Sequence, residues 1–160
     1  MRTALLPSPI GPLFVELGER GLTRLHTDRH RLHVDAPPDD GAFAAVAEQL
    51  DAYFAGELKR FDLPLDAHGT AFEHRVWTAL AEIPYGETAT YGELARELGS
   101  HPRAVGSANA RNPISIVVPC HRVLGTDGSL TGYAGGLEVK RRLLDHEHGI
   151  GSWDGVPHSR

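Results

Sequence analysis

One cysteine, Cys120, is the residue of this 160-residue sequence with the clearest capacity for chemistry. His121 can hold or relay a proton near neutral pH and Arg122 supplies a fixed positive charge, and both features favour the reactive thiolate. Consecutive side chains of an extended segment point to opposite faces, so Cys120 and His121 meet only if the backbone bends or a water bridges them. We expect a bent, water-linked pair. The alternative is a buried cysteine without chemistry.

The residues before Cys120 predict a buried strand that presents the thiol. Pro119 cannot donate to a sheet ladder, so the strand should end there. Asn112 precedes a proline and is therefore pushed away from helical geometry, which bounds the other end. The apolar run between these limits is Ile114, Ile116, Val117 and Val118.

The composition excludes several classes of protein. Hydrophobic residues make up 41% of the chain, which suffices for a packed core. A single cysteine excludes an internal disulfide and any multi-cysteine metal cluster, and the early histidines lack ligand partners, so we expect no metal site. No segment resembles a signal peptide or a membrane span, which predicts a cytoplasmic protein without a membrane partner.

The charge is unevenly distributed. The formal net charge of -5 argues against a uniformly basic nucleic-acid binder, yet no Asp or Glu occurs between Ser100 and Thr126. That window predicts a cationic surface near Cys120 that suits a phosphate backbone, unless the gap in acidic residues is accidental. Its arginines are Arg103, Arg111 and Arg122.

The first 66 residues predict a small α/β unit. Residues 13–17 and 22–26 have the pattern of two strands around a glycine-bounded turn, and residues 27–41 have that of a loop. Apolar residues at helical spacing over residues 42–55 predict a helix that ends at Gly56. The composition then changes over residues 66–69, which we interpret as a linker.

The rest of the chain predicts mostly helix. Thr70 is a candidate N-cap for a helix that stops at Pro84, and Thr90 with Glu93 forms a capping box for the next. That helix should end at Gly99, and residues 103–111 should form a second, so the pair makes a helix-turn-helix. Residues 137–146 predict a last helix with Glu147 at its end. Its apolar side would comprise Leu137, Leu143 and Leu144.

The second helix of the helix-turn-helix has almost no side-chain bulk. Small residues offer little to read a major groove with, but they let a backbone approach a minor groove closely. Tight packing within a core is the alternative. Arg103, at the start of this helix, would be a wedge or stacking group. The small residues are Ala104, Gly106, Ser107 and Ala108.

The motif Pro119-Cys120-His121-Arg122-Val123, after Asn112-Pro113 and a helix-turn-helix led by Tyr91 and Arg103, resembles the O6-alkylguanine-DNA alkyltransferases, or methylated-DNA–protein-cysteine methyltransferases. The resemblance runs through residues 72–147 and is looser before them. It implies an N-terminal α/β, ribonuclease-H-like domain over residues 1–66. It also implies a mostly α, winged-helix-like C-terminal domain with the helix-turn-helix over residues 70–148, and a flexible tail at 149–160.

The resemblance also implies the catalytic roles. Cys120 would take the alkyl group from O6 of a flipped guanine, and His121 would draw the thiol proton through a water. Glu147 would orient the imidazole, which is how an activated nucleophile is usually supported. Asn112 would brace the turn before the cysteine, and Tyr133 would donate a hydrogen bond to the leaving oxygen.

The resemblance assigns further residues to DNA. Tyr91 would rotate the backbone phosphate, and Arg103 would fill the gap left by the extruded nucleotide. Backbone groups near Val123 would read the exocyclic amine, and the main chain of Ala134 would serve the pocket. The remaining residues placed at the DNA surface are Ala104, Gly106, Ser107, Ala108 and Arg122.

The implied function is single-turnover DNA repair on duplex DNA carrying O6-alkylguanine. A thioether has no acyl carbonyl for water to attack, and the sequence has no second thiol, so each molecule should act once. We expect no cofactor, a monomer in solution and association with the nucleoid when DNA is bound; clustering of copies along DNA stays open. Three alternatives are a sequence-reading regulator, a lesion sensor of the alkyltransferase-like type and a cysteine hydrolase. The sensor would lack the acceptor cysteine.

Overall fold

A computed structural model describes residues 1–27, 41–133, 135–151 and 153. The loop predicted over residues 27–41 therefore lies almost entirely outside the described residues, as does Ala134. Of the predicted tail at residues 149–160, only residues 149–151 and 153 are described. The elements are β1 Arg2–Leu6, β2 Leu13–Gly18, β3 Gly21–Thr27, α1 Ala44–Phe54, α2 Ala71–Ala81, β4 Ala89–Thr90, α3 Tyr91–Leu98, α4 Pro102–Ala110, a 3-10 turn Cys120–Arg122, β5 Val123–Leu124 and α5 Leu137–Glu147.

The N-terminal domain is an antiparallel sheet in the order β1-β2-β3, with α1 supplying part of its core. The two predicted strands are confirmed as β2 and β3, while β1 was not predicted. Gly21 has a φ of 145°, and a Cβ there would lie 2.4 Å from the carbonyl oxygen of Pro64, so only glycine fits this turn. The predicted helix is confirmed as α1, after which Gly56 has a φ of 78°.

The C-terminal domain begins with helices whose ends are fixed by residues close to them in the sequence. Thr90 and Glu93 form a capping box at α3, as predicted, and Thr70 is the predicted N-cap of α2, where Glu73 completes a second capping box that was not predicted. Each N-cap contributes about 1 kcal/mol of helix stability. The left-handed Gly99 ends α3, with a φ of 63°. The helix-turn-helix is therefore confirmed as α3 and α4.

A two-residue parallel ladder joins the helix-turn-helix to the cysteine segment. Ala89 pairs with Val123, and Thr90 pairs with Leu124. Because α3 begins directly after Thr90, this ladder fixes the start of the helix-turn-helix beside the segment that follows Cys120. The side chain of Val123 is fully buried, so only its backbone is available to a ligand.

The predicted strand before Cys120 is wrong, although its burial was predicted correctly. Ile114 forms one isolated bridge with Leu25, and the following residues turn, with Ile116 at a φ of 71°. Ile114 and Ile116 are at most 1% exposed. A short apolar run gives the same signal in a buried turn as in a strand. Only long-range contacts decide whether this run forms a turn or a strand.

The N-terminal sheet touches this turn directly. The N–H of Leu25 in β3 donates to the carbonyl of Pro113 at 2.9 Å, and the N–H of Ser115 donates to the carbonyl of Leu25 at 2.8 Å. The edge strand thus supports the turn that leads to the cysteine. In the last helix, Leu143 and Leu144 are buried as predicted, but Leu137 is 50% exposed, so its placement on the apolar side was wrong.

Candidate active site

Cys120 is the first residue of the 3-10 turn and its side chain is buried. The N–H of Cys120 donates to the carbonyl of Val118 at 2.8 Å, and the N–H of Arg122 donates to the carbonyl of Pro119 at 3.0 Å. The backbone is therefore bent between Cys120 and His121, as expected. A bridging water between the two side chains stays a prediction.

His121 is held by Glu147. The Nε2 of His121 lies 2.7 Å from Oε2 of Glu147, and both side chains are buried. An ionised carboxylate can only accept hydrogen bonds, so Nε2 carries the hydrogen and donates it. The Nδ1 of His121 is buried and has no hydrogen-bond partner among the described residues. Its lone pair is therefore available to accept a proton.

The protonation state of His121 favours its role as a proton acceptor. Burial lowers the pKa of His121, because the charged ring loses its hydration, and the charges of Arg122 and Lys140 lower it further. The opposing hydrogen bond and charge of Glu147 do not outweigh burial. His121 is therefore neutral at physiological pH, as a general base must be.

Arg122 lies in the interior and not on the predicted DNA-facing surface. Its Nε donates to Oε1 of Glu147 at 2.7 Å, its Nη2 to Oε2 of Glu147 at 3.0 Å and its Nη1 to the carbonyl of Ile83 at 2.6 Å. Burial alone raises the pKa of Glu147, but His121 and Arg122 hold it well below its usual value. The predicted role of the Arg122 side chain in DNA binding is thus corrected: it anchors the carboxylate.

The predicted cationic surface is smaller than the sequence indicated. Arg111 lies 3.4 Å from a carboxylate oxygen of Glu73, although its side chain is 70% exposed. Arg103 is exposed at the start of α4. Of the three arginines in the acid-free window, Arg103 and Arg111 reach the surface and Arg122 does not.

The pKa of the Cys120 thiol is raised, so the expectation that His121 and Arg122 favour its thiolate is wrong for the free protein. Burial raises the pKa of Cys120, while hydrogen bonds from Asn112 and Ser115 and the positive charge of Lys140 oppose that rise. Asn112 also braces the turn, because its Nδ2 donates to the carbonyl of Val118 at 2.8 Å and its Oδ1 accepts from the N–H of Ile114 at 3.0 Å.

Lys140 and Ser115 were not identified from the sequence. Lys140 is fully buried and its Nζ donates to the carbonyl of Thr131 at 2.6 Å. Burial lowers the pKa of Lys140 to about 8, against the charge of Cys120, which raises it. The sequence contained one signal for Lys140 as a site residue. Lys140 precedes Glu147 by seven residues, so both lie on one face of α5. Nothing local singled out Ser115.

Tyr133 lies beside the thiol in the glycine-rich loop. Burial, followed by the charge of Cys120, raises the pKa of Tyr133 well above its usual value, while a hydrogen bond with Ser115 lowers it. Its hydroxyl therefore stays protonated and can donate. A Cβ at Gly135 would lie 2.7 Å from the Tyr133 ring, so the ring packs directly on that glycine.

The helix-turn-helix presents an exposed face made by α4 and the start of α3. Arg103 and Ser107 are exposed, and Ala104 and Gly106 are half-buried. Ala108 is the exception, at 3% exposure. Its carbonyl accepts from Nε1 of Trp77 at 2.9 Å. For Ala108 the core-packing interpretation was correct, and its placement at the DNA surface was wrong.

Tyr91 is half-buried at the junction of the two helices, and its hydroxyl accepts from Nδ2 of Asn109 at 3.3 Å. Burial raises the pKa of Tyr91, so the phenol stays neutral. A Cβ on Gly106 would lie 3.8 Å from the Tyr91 ring, which leaves that ring close against α4. Asn109 was not identified from the sequence.

In the part of the chain that the structure describes, none of the helices is long and apolar enough to cross a membrane. Within residues 1–27, 41–133, 135–151 and 153, no cluster of three or more histidine, cysteine, aspartate or glutamate side chains could hold a metal ion.

A buried cysteine next to a histidine–glutamate pair, beside a helix-turn-helix, is typical of a DNA-binding protein that uses a thiol nucleophile. Sequence profiles of known families match both domains: "6-O-methylguanine DNA methyltransferase, ribonuclease-like domain" matches residues 1–67, and "6-O-methylguanine DNA methyltransferase, DNA binding domain" matches residues 71–149. The chain belongs to the 6-O-methylguanine DNA methyltransferase family.

Similar proteins span nearly the whole chain. A methylated-DNA–protein-cysteine methyltransferase of Methanosarcina acetivorans is 49% identical over 92% of this chain and 98% of its own. The protein of that name from Mycobacterium tuberculosis is 52% identical over 89% of each chain. A crystal structure of Mycobacterium tuberculosis OGT in complex with DNA has a TM-score of 0.84 and 50% identity, covering 93% of this chain and 94% of that one.

Proposed function

We propose that Cys120 accepts the alkyl group of an O6-alkylguanine in double-stranded DNA, once per protein molecule. Family membership and relatives about half identical make the chain a DNA-repair methyltransferase with DNA as its partner. One observation carries the residue assignment. It is the buried His121, whose Nε2 is bound to Glu147 and whose Nδ1 has no hydrogen-bond partner among the residues that the structure describes, next to the only cysteine of the chain.

The reaction is a direct displacement. The thiol proton of Cys120 passes through a water to Nδ1 of His121, and Glu147 stabilises the imidazolium that results. The sulfur attacks the alkyl carbon, so an S–C bond forms as the C–O6 bond breaks. The bonding electron pair stays on guanine, and the Tyr133 hydroxyl donates a hydrogen bond to the oxygen as its charge develops. Separate residues thus accept the thiol proton, stabilise the imidazolium and donate to the leaving oxygen.

The product explains why the protein should be consumed. A thioether offers water no carbonyl carbon to attack, so hydrolysis cannot regenerate Cys120. The chain has no second thiol that could remove the alkyl group by exchange. No cofactor takes part in the proposed steps.

The exposed face of the helix-turn-helix is the proposed DNA surface. Its small residues let α4 approach the minor groove, and Arg103 is free to enter the base stack in place of the flipped nucleotide. Tyr91 stands at the edge of this face, in position to meet a phosphate. The chain should act as a monomer, with residues 1–66 forming the N-terminal domain and residues 70–148 the DNA-binding domain.

An intact-mass measurement tests the proposal. The protein is mixed with a duplex that contains one O6-methylguanine, alongside the Cys120→Ala variant and an unmodified duplex. We expect a mass increase equal to one methyl replacing one hydrogen, never more than one per molecule, and none in the variant. Tight binding of the lesion without a mass change would identify a lesion sensor instead. Repeated turnover of a thioester substrate would identify a cysteine hydrolase.

A further inference from the structure

A residue of the N-terminal domain reaches the carboxylate of the active site. The hydroxyl of Tyr53, in α1, donates to Oε2 of Glu147 at 2.6 Å, although the two residues are 94 positions apart. The side chain of Tyr53 is fully buried. The distance is that of a hydrogen bond from a hydroxyl to an ionised carboxylate, which is stronger than a bond between neutral groups.

We propose that Tyr53 is a positioning residue for alkyl transfer, whose hydroxyl holds the Glu147 carboxylate in the orientation that aligns His121. The N-terminal domain would then complete the active site and not merely support the fold. This inference rests on the proposed relay from Cys120 through His121 to Glu147.

The carboxylate accepts four hydrogen bonds from side chains. Oε2 of Glu147 accepts from Tyr53 at 2.6 Å, from His121 at 2.7 Å and from Nη2 of Arg122 at 3.0 Å, while Oε1 accepts from Nε of Arg122 at 2.7 Å. Because the site is buried, water cannot simply replace a donor that is removed. Loss of the Tyr53 hydroxyl therefore leaves Oε2 with one donor fewer and weakens the hold on its orientation towards His121.

The direction of the Tyr53 bond is defined. The pKa of Glu147 lies well below its usual value, so the carboxylate is ionised and can only accept. Burial, followed by the charge of Glu147, raises the pKa of Tyr53 well above its usual value. The phenol thus keeps its hydrogen throughout the physiological range and donates it to Glu147.

Tyr53 is itself held firmly. Its ring contacts the aromatic rings of Phe54, Phe61, Tyr85 and His146 at centroid distances between 5.1 and 6.2 Å. Its backbone carbonyl lies 2.7 Å from Nε2 of His146, the residue next to Glu147. The ring and backbone therefore join α1 to the end of α5. A purely structural role for the ring must be separated from the role of the hydroxyl.

The substitution Tyr53→Phe makes that separation, because it keeps the ring and removes the hydroxyl. The matched control is Tyr85→Phe. Tyr85 lies edge-on to Tyr53 and near Arg122, but its hydroxyl is not among the hydrogen-bond donors to Glu147 in the described part of the chain. Both variants lose one buried or half-buried phenol oxygen beside the same cluster, and only one loses a donor to the carboxylate.

The experiment measures methyl transfer in a single turnover at saturating O6-methylguanine duplex, together with the dissociation constant for that duplex. We expect Tyr53→Phe to lower the transfer rate constant about 10-fold, the typical scale of one hydrogen bond to a charged group, and to leave the dissociation constant unchanged. Tyr85→Phe should lower neither. Equal rates for Tyr53→Phe and wild type would overturn the inference.

The pH profile provides a readout that ring packing alone would not move. The charged groups that act on His121 are Glu147, Arg122 and Lys140, and its titratable neighbour in the chain is Cys120. Without the Tyr53 hydroxyl, the carboxylate is no longer held in the orientation that aligns it with His121, so it stabilises the imidazolium less well. The acidic limb of the rate profile should therefore move to lower pH in Tyr53→Phe and stay in place in Tyr85→Phe.

A second background keeps the test decisive if Tyr53→Phe is also less stable. In His121→Gln the relay is already broken, so adding Tyr53→Phe should change the residual transfer rate by less than twofold. The same 10-fold loss in both backgrounds would show a general structural defect and overturn the inference. If wild-type protein takes up no methyl group at all, the proposed function fails, which is a different outcome from equal rates in wild type and Tyr53→Phe.

Discussion

The interior of the active site and the exposed face of α4 use their residues in opposite ways. Around Glu147 the polar side chains are buried and each is tied to partners, including a bidentate arginine and a histidine. On α4 the residues are small or exposed, and Arg103 projects from the first turn. Substitutions in the interior should therefore affect folding and chemistry together. Substitutions at the exposed positions of α4 should affect DNA binding alone.

The largest effect is expected from Glu147→Gln. The amide cannot replace the charge that Arg122 needs in the interior, so the free energy of unfolding should fall by about 3–5 kcal/mol. Transfer should also be largely lost, because His121 loses its orienting anion. Denaturant unfolding and single-turnover kinetics measure both. Glu138→Gln, an exposed position of the same helix, is the control and should change neither. A stable but inactive Glu147→Gln would show that the carboxylate serves chemistry alone.

Lys140→Met should have the next largest effect. The positive charge of Lys140 lowers the pKa of Cys120, so its removal should raise that pKa and slow the reaction of the thiol about 10-fold. The pH dependence of thiol alkylation by iodoacetamide measures the shift. The exposed Arg141→Met provides a control with the same loss of charge. An unchanged thiol pKa would restrict Lys140 to holding the carbonyl of Thr131.

Arg103→Ala tests the exposed face. Because this side chain is exposed, its removal should change the free energy of unfolding by less than about 0.5 kcal/mol. Binding of a lesion duplex should weaken, with a cost of about 1–3 kcal/mol, since the side chain no longer compensates for the unstacked base. Fluorescence anisotropy gives the affinity. Arg20→Ala, in the exposed β2–β3 turn of the other domain, should leave affinity unchanged.

The smallest effect requires no substitution. Burial lowers the pKa of His121 from its ordinary 6.5, so the neutral base persists below that pH. The transfer rate should stay near its maximum at pH 6.5 and fall only as the pH drops further and the ring becomes protonated. Stability should also decline on acidification from about 6.5, because the unfolded chain then binds a proton that the folded histidine does not. A rate that already falls by half at pH 6.5 would contradict the lowered pKa.

Features that depend on residues a few positions apart could be predicted from the sequence. A capping box joins positions three apart, so Thr90 with Glu93 was correctly identified, and Thr70 was correctly identified as an N-cap, although its partner Glu73 was not. The left-handed Gly99 ends α3 and so marks the turn of the helix-turn-helix. The pair of a candidate nucleophile and a proton acceptor was equally visible in the sequence, because Cys120 and His121 are neighbours in the chain. The family resemblance added Glu147, and the structure places it against His121.

Long-range contacts set the positions of the other side chains. Arg122 was placed on a cationic surface because it lies in a stretch without acidic residues, and it is buried because it neutralises the buried carboxylate of Glu147. The run from Ile114 to Val118 became a turn through contacts with Asn112 and β3. Tyr53 meets Glu147 across 94 positions, a distance over which sequence pattern carries no information. Local hydrogen bonds can be inferred from the residues that make them, whereas the partners of a buried charge are selected by the whole fold.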